Sequence, residues 1–151
     1  MVNRVAFITT AFVVLGGLGV AHAQVRSPSI GIADIEGAEN VGGRYFKNAL
    51  VELFKARSYS IASPGSDATD VRVLSEIFLV KKDTYEWKVR LLNAESDEFL
   101  GGARWQYKLA PDLTKGFEDN SLQAATAIAK KFDPIIRQLV ASKPPPAPPE
   151  P

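Results

Sequence analysis

Two consecutive segments between residues 85 and 109 alternate between apolar and polar side chains, and this pattern restricts the fold more than any other feature of the chain. The apolar positions are Tyr85, Trp87, Val89 and Leu91, then Ala103, Trp105, Tyr107 and Leu109. The positions between them are Glu86, Lys88 and Arg90, then Arg104, Gln106 and Lys108. A period of two is typical of a strand with one buried face. Residues 93–98 form the predicted turn, so we expect an antiparallel pair with an aromatic face inward.

The segments around this pair complete an α+β pattern. Residues 29–36 and 59–62 predict strands, and residues 44–57 predict a helix with an apolar stripe. Residues 71–81 predict a strand with apolar side chains on both faces, so we expect both faces to be covered at least in part. A last helix is predicted from about Ser121, after a loop, with an interruption at Asp133-Pro134 because a proline ring clashes with the preceding turn.

The order β-α-β-β-β-β-α predicts a two-layer α+β sandwich. Its sheet is expected to have four or five mostly antiparallel strands, with both helices on one face. The length of 151 residues fits one such domain. The predicted domain covers residues 24–142.

Residues 1–23 predict a secretory signal peptide. Arg4 gives a positive start, residues 5–20 are apolar and uncharged, and Ala21-His22-Ala23 forms a small-x-small cleavage pattern. The apolar run is shorter than the roughly 20 residues that a membrane-spanning helix needs. We therefore expect a periplasmic or secreted protein that begins at Gln24 and keeps no stable membrane anchor after cleavage.

Residues 143–151 predict a tail outside the domain, because the segment contains six prolines in nine residues. Proline lacks an amide donor and cannot join a sheet or a helix interior. The tail is either a disordered end or an extended peptide that docks in an aromatic groove, and the first interpretation is favoured.

Cleavage of the leader would leave a protein without the residue types that most catalytic sites need. The chain has no Cys, and its one His, His22, lies in the leader. Soft-metal sites and Ser-His-Asp or Cys-His nucleophiles need those residues. We therefore expect no enzyme activity, no metal and no cofactor. A formal net charge of +1 gives no reason to bind nucleic acid.

Two further motifs carry weak signals. Asp34 and Glu36 have the spacing of paired carboxylates, which can hydrolyse glycosides or bind calcium, but a solvated strand end is favoured. Gly42-Gly43-Arg44 before the first helix can hold a phosphate, yet it lacks the spacing of known phosphate loops, and a flexible loop is favoured.

The candidate interaction surface is basic and consists of Lys88, Arg90, Arg104 and Lys108. In the predicted hairpin these side chains share the outer face of the sheet. They can meet an anionic envelope polymer or an acidic protein surface, or they form an ordinary soluble face balanced by Glu86. Trp87, Trp105 and Tyr107 can form a stacking platform for sugars or bases, but a buried core is favoured.

Three segments resemble a family of small periplasmic αβ domains: the N-terminal domain of TolB, the curli-secretion protein CsgG and the lipoproteins that activate penicillin-binding proteins. Residues 46–59 resemble its helix and short strand, Ala-Thr-Asp-Val-Arg-Val-Leu at 68–74 its strand entry, and residues 85–100 its hairpin. Val71 stands in place of the family's tyrosine, Asn93 in place of its aspartate, and the lipid-bearing Cys is missing.

The resemblance implies a non-enzymatic domain that packs against other envelope proteins. The sequence thus predicts an exported, non-catalytic accessory protein that binds another component of the cell envelope, in assembly, secretion or transport. The alternative is a binding module for a small ligand or polysaccharide on the aromatic and basic hairpin. The identity of a protein partner and the oligomeric state stay open at this point.

Overall fold

A computed structural model of the chain describes residues 26–35, 43–63, 65–108 and 113–144, with side chains from residue 118 onward in the last range. The elements are β1 (Ser29–Ile32), α1 (Gly43–Ala56), β2 (Ser60–Ala62), β3 (Val71–Lys81), β4 (Thr84–Asn93), β5 (Phe99–Lys108) and α2 (Leu113–Ser142). The predicted leader, Glu36, Gly42, Leu109 and the tail from 145 lie outside the described residues. The predicted domain bounds therefore stay predictions.

The five strands form one sheet in the order β2-β1-β3-β4-β5. β1 lies between β2 and β3 and pairs in parallel with both. α1 connects β1 to β2, which is the crossover that parallel neighbours require. β3, β4 and β5 pair antiparallel through short turns. The α+β class is confirmed, and the sheet is mixed rather than purely antiparallel.

Both helices pack on the inner face of this sheet. Phe46 of α1 stacks on Trp87 of β4 with ring centroids 4.9 Å apart, and Tyr107 lies 4.7 Å from the same indole. Phe132 of α2 is fully buried in the same core. The alternation that begins at Tyr85 therefore places its aromatic side chains under the helices, which confirms the core interpretation of Trp87 and Tyr107.

The outer face of β3 differs from the expectation. Phe78 lies on that face, opposite Glu86, and is 42% exposed, so the expected cover is absent over it. The physical reason is the chain connectivity: both helices in the described ranges are connected to the strands in such a way that they pack on the inner face. An antiparallel sheet can leave its other face in water.

α2 corrects two further expectations. It begins at Leu113, and it continues through Pro134 instead of breaking at Asp133. Pro134 is exposed and removes one backbone hydrogen bond, whereas Phe132 and Ile136 on either side are both completely buried. Continuing the helix keeps both apolar side chains in one stripe, and that burial outweighs the lost bond.

Asp133 lies inside α2 rather than at a helix boundary. Its carboxylate accepts hydrogen bonds from Tyr59 Oη at 2.7 Å and from Arg137 Nε at 3.0 Å. The side chain therefore connects α2 to Tyr59, which follows α1. The sequence pattern alone predicted a helix boundary at Asp133.

Candidate functional site

The four residues of the predicted basic surface all lie on the outer face of the sheet. Lys88 of β4 is paired with Arg104 of β5, Arg90 is paired with Gly102, and Thr84 is paired with Lys108. Each of the four alternates with inward-facing residues such as Val89 and Tyr107, which are buried. The placement follows directly from the period-two pattern, and the role of these residues in binding stays a prediction.

Acidic neighbours balance part of this charge. Arg90 Nη2 lies 3.3 Å from Glu76 Oε1, and Arg104 Nη1 lies 3.8 Å from Glu86 Oε1. Glu86 is only 6% exposed and accepts a hydrogen bond of 2.6 Å from Gln106 Nε2. In the described part of the chain, Lys88 forms no ion pair within 4 Å. The face is therefore mixed in charge, with an excess of cations.

Three of the four predicted residues come together around one cavity of about 360 Å³. We call it the Phe99 cavity; its lining is Lys88, Val89, Arg90, Phe99, Gly102, Ala103, Arg104 and Lys131. Lys108 does not line it. Lys131 belongs to α2, and its side chain donates a hydrogen bond to the carbonyl oxygen of Gly102. A side chain from the helix on the inner face therefore reaches the edge strand β5 at this point.

Phe99 is the residue that the sequence analysis missed. From Lys108 back to Gly101, successive residues of β5 pair with successive residues of β4, and Gly101 pairs with Leu91. The next residue of β4, Leu92, pairs with Phe99, so Leu100 is an extra residue in β5. This bulge reverses the alternation of the strand, because one extra residue puts the side chains on its two sides out of step by one position. Simple alternation would have put Phe99 inward, and the sequence carries no signal for the bulge.

Phe99 is 60% exposed, and its phenyl ring lies over Gly102. A Cβ atom on Gly102 would come within 3.2 Å of the ring atom Cζ and 3.4 Å of the Val89 carbonyl oxygen. The absence of a side chain at Gly102 thus makes the room in which the ring lies. A large apolar ring held at the surface between cations is a feature of binding surfaces rather than of a core.

A second polar site lies where β1 and β3 begin. Asp70 is only 2% exposed, and its carboxylate accepts from Arg26 Nη1 at 3.1 Å and Nη2 at 2.5 Å, and from the Ser29 backbone amide at 2.9 Å. Ser29 Oγ at 3.1 Å and Lys143 Nζ at 3.3 Å complete the set. We call Arg26, Ser29, Asp70 and Lys143 the Asp70 clasp. It joins the first described residue to the end of α2.

The Asp70 clasp borders a hollow of about 700 Å³ lined by residues of both charges, including Arg72 and Glu95. Burial raises the pKa of Asp70, but the Ser29 and Arg26 hydrogen bonds outweigh it and hold the pKa below its ordinary value. The carboxylate is ionised, and five contacts within the protein already satisfy it. Its role is therefore structural: it holds these parts of the chain together. Local sequence around Asp70 gives no sign of this role, because its partners Arg26 and Lys143 lie 44 and 73 positions away.

The remaining candidates do not form a catalytic or phosphate site in the described residues. Asp34 is exposed and paired with Lys47, whose hydrogen bond lowers the pKa of Asp34. Its proposed partner Glu36 lies outside the described residues. Gly43 is the first residue of α1, and Gly42 lies outside.

The aromatic set does not form a stacking platform either. Trp87 is fully buried, Tyr107 is 6% exposed, and Trp105 is half-buried on the same inner side. Over the residues that the structure describes, no group of three or more His, Cys, Asp or Glu side chains is placed to hold a metal ion.

Comparisons with known proteins give the fold but no family. No family model matches the chain, and no curated protein matches its sequence. A DUF330 protein from Xanthomonas campestris superposes with a TM-score of 0.56 at 12% identity, over 78% of this chain and 90% of that chain. PelC from Paraburkholderia phytofirmans, a dodecamer in its crystal, gives 0.53 at 10% identity, over 74% and 90%. The fold is therefore one that small bacterial proteins share.

TolB from Acinetobacter baumannii gives a TM-score of 0.43 at 14% identity, over 68% of this chain and 29% of TolB. That score supports no argument, so the likeness to the TolB domain stays a resemblance in sequence. In the described part of the chain, neither helix is both long and apolar enough to cross a bilayer.

Proposed function

We propose that this chain is an exported, non-catalytic accessory protein of the bacterial envelope, and that it binds another envelope component through the outer face of its sheet. The observation that carries the proposal is the Phe99 cavity on a face that no described helix covers. Export is supported by the pattern of residues 1–23, and the lack of catalysis by a residue inventory without Cys or a His outside the leader.

The open face alone is an ordinary property of an antiparallel sheet. What distinguishes this one is the combination of an exposed aromatic ring with Arg90 and Arg104 at the same cavity. Aromatic residues and arginine are enriched where proteins bind partners, because an aromatic ring contributes a large contact area and a guanidinium contributes strong hydrogen bonds.

A photo-crosslinking residue placed at Lys108 in the producing bacterium tests the proposal. Lys108 is exposed on the outer face but does not line the Phe99 cavity, so the residues that line the cavity stay intact. Gln123, exposed on α2, is the matched control on the helix side. We expect an adduct from position 108 and none from position 123, and N-terminal sequencing should find that the exported protein starts at Gln24.

An adduct from position 123 alone, or no adduct from either position, would contradict the proposal. An adduct with the mass of two copies would identify self-assembly as the interaction. β5 is a ten-residue strand at the edge of the described sheet, and unpaired edges can add a strand from a second copy. The dodecamer of PelC is a reason to include that outcome.

A further inference from the structure

The chemistry of the Phe99 cavity indicates the class of its ligand. We propose that the cavity binds acidic sugar units of an anionic glycan, with the sugar ring on Phe99 and its carboxylate between the surrounding cations. This inference deepens the proposed function, because it assigns a partner class to the same outer face.

The aromatic part of the site is prepared in advance. The bulge at Leu100 turns Phe99 outward, and Gly102 gives the ring a fixed place against the backbone. Phe99 is 60% exposed, so much of the residue is in contact with water. A sugar laid on such a ring gains many weak dispersion contacts and displaces the water, so the exposed ring is a natural platform for it.

The charged part of the site is uniformly cationic. Every ionisable residue that lines the cavity is basic: Lys88, Arg90, Arg104 and Lys131. Glu76 and Glu86 approach the two arginines from outside the lining, at 3.3 Å and 3.8 Å. A guanidinium has five N–H donors, so each arginine keeps donors for a ligand carboxylate after these contacts. Charge complementarity therefore favours an acidic ligand.

An acidic peptide fits the same charges less well. A peptide that adds to the β5 edge needs the backbone groups of that edge, but the Gly102 carbonyl already accepts from Lys131. A ring platform with cations around it matches the flat, repeating surface of an acidic sugar chain.

Calorimetric titration of the exported domain with an oligogalacturonate, a neutral maltooligosaccharide and a poly-glutamate peptide tests the inference. We expect oligogalacturonate to bind about tenfold or more tightly than either alternative. Phe99→Ala and Arg104→Ala should each weaken its binding by about tenfold, which is the order of one charge-assisted hydrogen bond or one stacked ring.

The controls are matched on the same face. Lys81→Ala removes an exposed cation at the end of β3 that lies opposite Thr84 and does not line the cavity, and Phe78→Ala removes an aromatic side chain at a residue that is 42% exposed elsewhere on the outer face. Both should bind oligogalacturonate within about twofold of the unmodified protein, since surface changes away from a site have small effects. Urea unfolding of each variant establishes that it is folded.

Three results would overturn the inference: no binding of oligogalacturonate, equal losses for Lys81→Ala and Arg104→Ala, or tighter binding of the poly-glutamate peptide. The last result would identify an acidic protein as the ligand class. If glycan binding fails while the crosslinker at position 108 still captures a protein, the glycan inference is wrong and the proposed function is retained.

Discussion

Asp70→Asn should destabilise the domain substantially, although it changes one atom of one side chain. Asparagine keeps the size of the side chain but removes the charge that Arg26 and Lys143 contact. Its amide nitrogen must then face donors, because all five contacts of the carboxylate come from N–H, O–H or ammonium groups. A buried acceptor lost in this way leaves its partners unsatisfied.

The magnitude follows from the exposure of the partners. Breaking a fully buried ion pair costs about 3–5 kcal/mol. The side chains of Arg26 and Lys143 are 49% and 25% exposed, so water satisfies part of what Asp70 leaves behind. The Ser29 amide, which donates at 2.9 Å, is buried and loses more. We therefore expect a loss of about 2–4 kcal/mol in the free energy of unfolding.

Urea unfolding at pH 7 measures this loss as a lower midpoint with an unchanged slope. Asp67→Asn is the matched control: the same change in charge, on the same loop and at the same hollow, but at an exposed residue. It should change the stability by less than about 0.5 kcal/mol. A loss below about 1 kcal/mol for Asp70→Asn would refute the reasoning.

The pH dependence provides an independent check. The folded-state pKa of Asp70 is lowered, so its stabilising contribution is fully present above the unfolded value of about 3.9 and is lost as pH falls through the folded value. The difference between the unmodified protein and Asp70→Asn should therefore be constant from pH 5 to pH 8 and shrink below about pH 4. An equal difference at pH 3 and pH 7 would show that the charge is not the cause.

Two further predictions concern α2. Pro134→Ala should raise the free energy of unfolding by about 1–3 kcal/mol in urea titrations, because the exposed proline lies inside a helix that alanine continues with an added hydrogen bond; a lower stability would show that the proline ring itself is favourable there. Tyr59→Phe should lower it by about 1–2 kcal/mol, since it removes the 2.7 Å hydrogen bond to Asp133 while Arg137 still satisfies that carboxylate. Burial and this bond raise the pKa of Tyr59, so the unmodified protein should lose stability above about pH 10, and the variant should lose less; identical alkaline profiles would contradict this.

Local periodicity was enough to predict most of the secondary structure. The alternation at 85–91 and 103–107 predicted which aromatic residues point inward and which basic residues point outward, because the side chains of a strand alternate between its two faces. The stripe through Phe46 and Phe54 named the buried face of α1 for the corresponding reason, and both side chains are completely buried.

The errors and omissions have physical causes that lie outside the local sequence. Pro134 argues for a helix end if only its own turn is considered, but the core contacts of Phe132 and Ile136 decide in favour of continuity. Likewise, the parallel pairing of β1 with β3 depends on the path of the chain through α1, which no residue of β1 encodes alone.

By itself the sequence determined which residues can be buried together, where the sheet face is basic, and that no histidine or cysteine follows the predicted leader. Only the tertiary structure decided the composition of the two sites. One extra residue in β5 turns Phe99 toward the cations of β4 and α2, and the meeting of both ends of the domain surrounds Asp70 with its partners. Both arrangements depend on strand register and chain closure, which are set by packing across the whole core, whereas periodicity acts over a few residues.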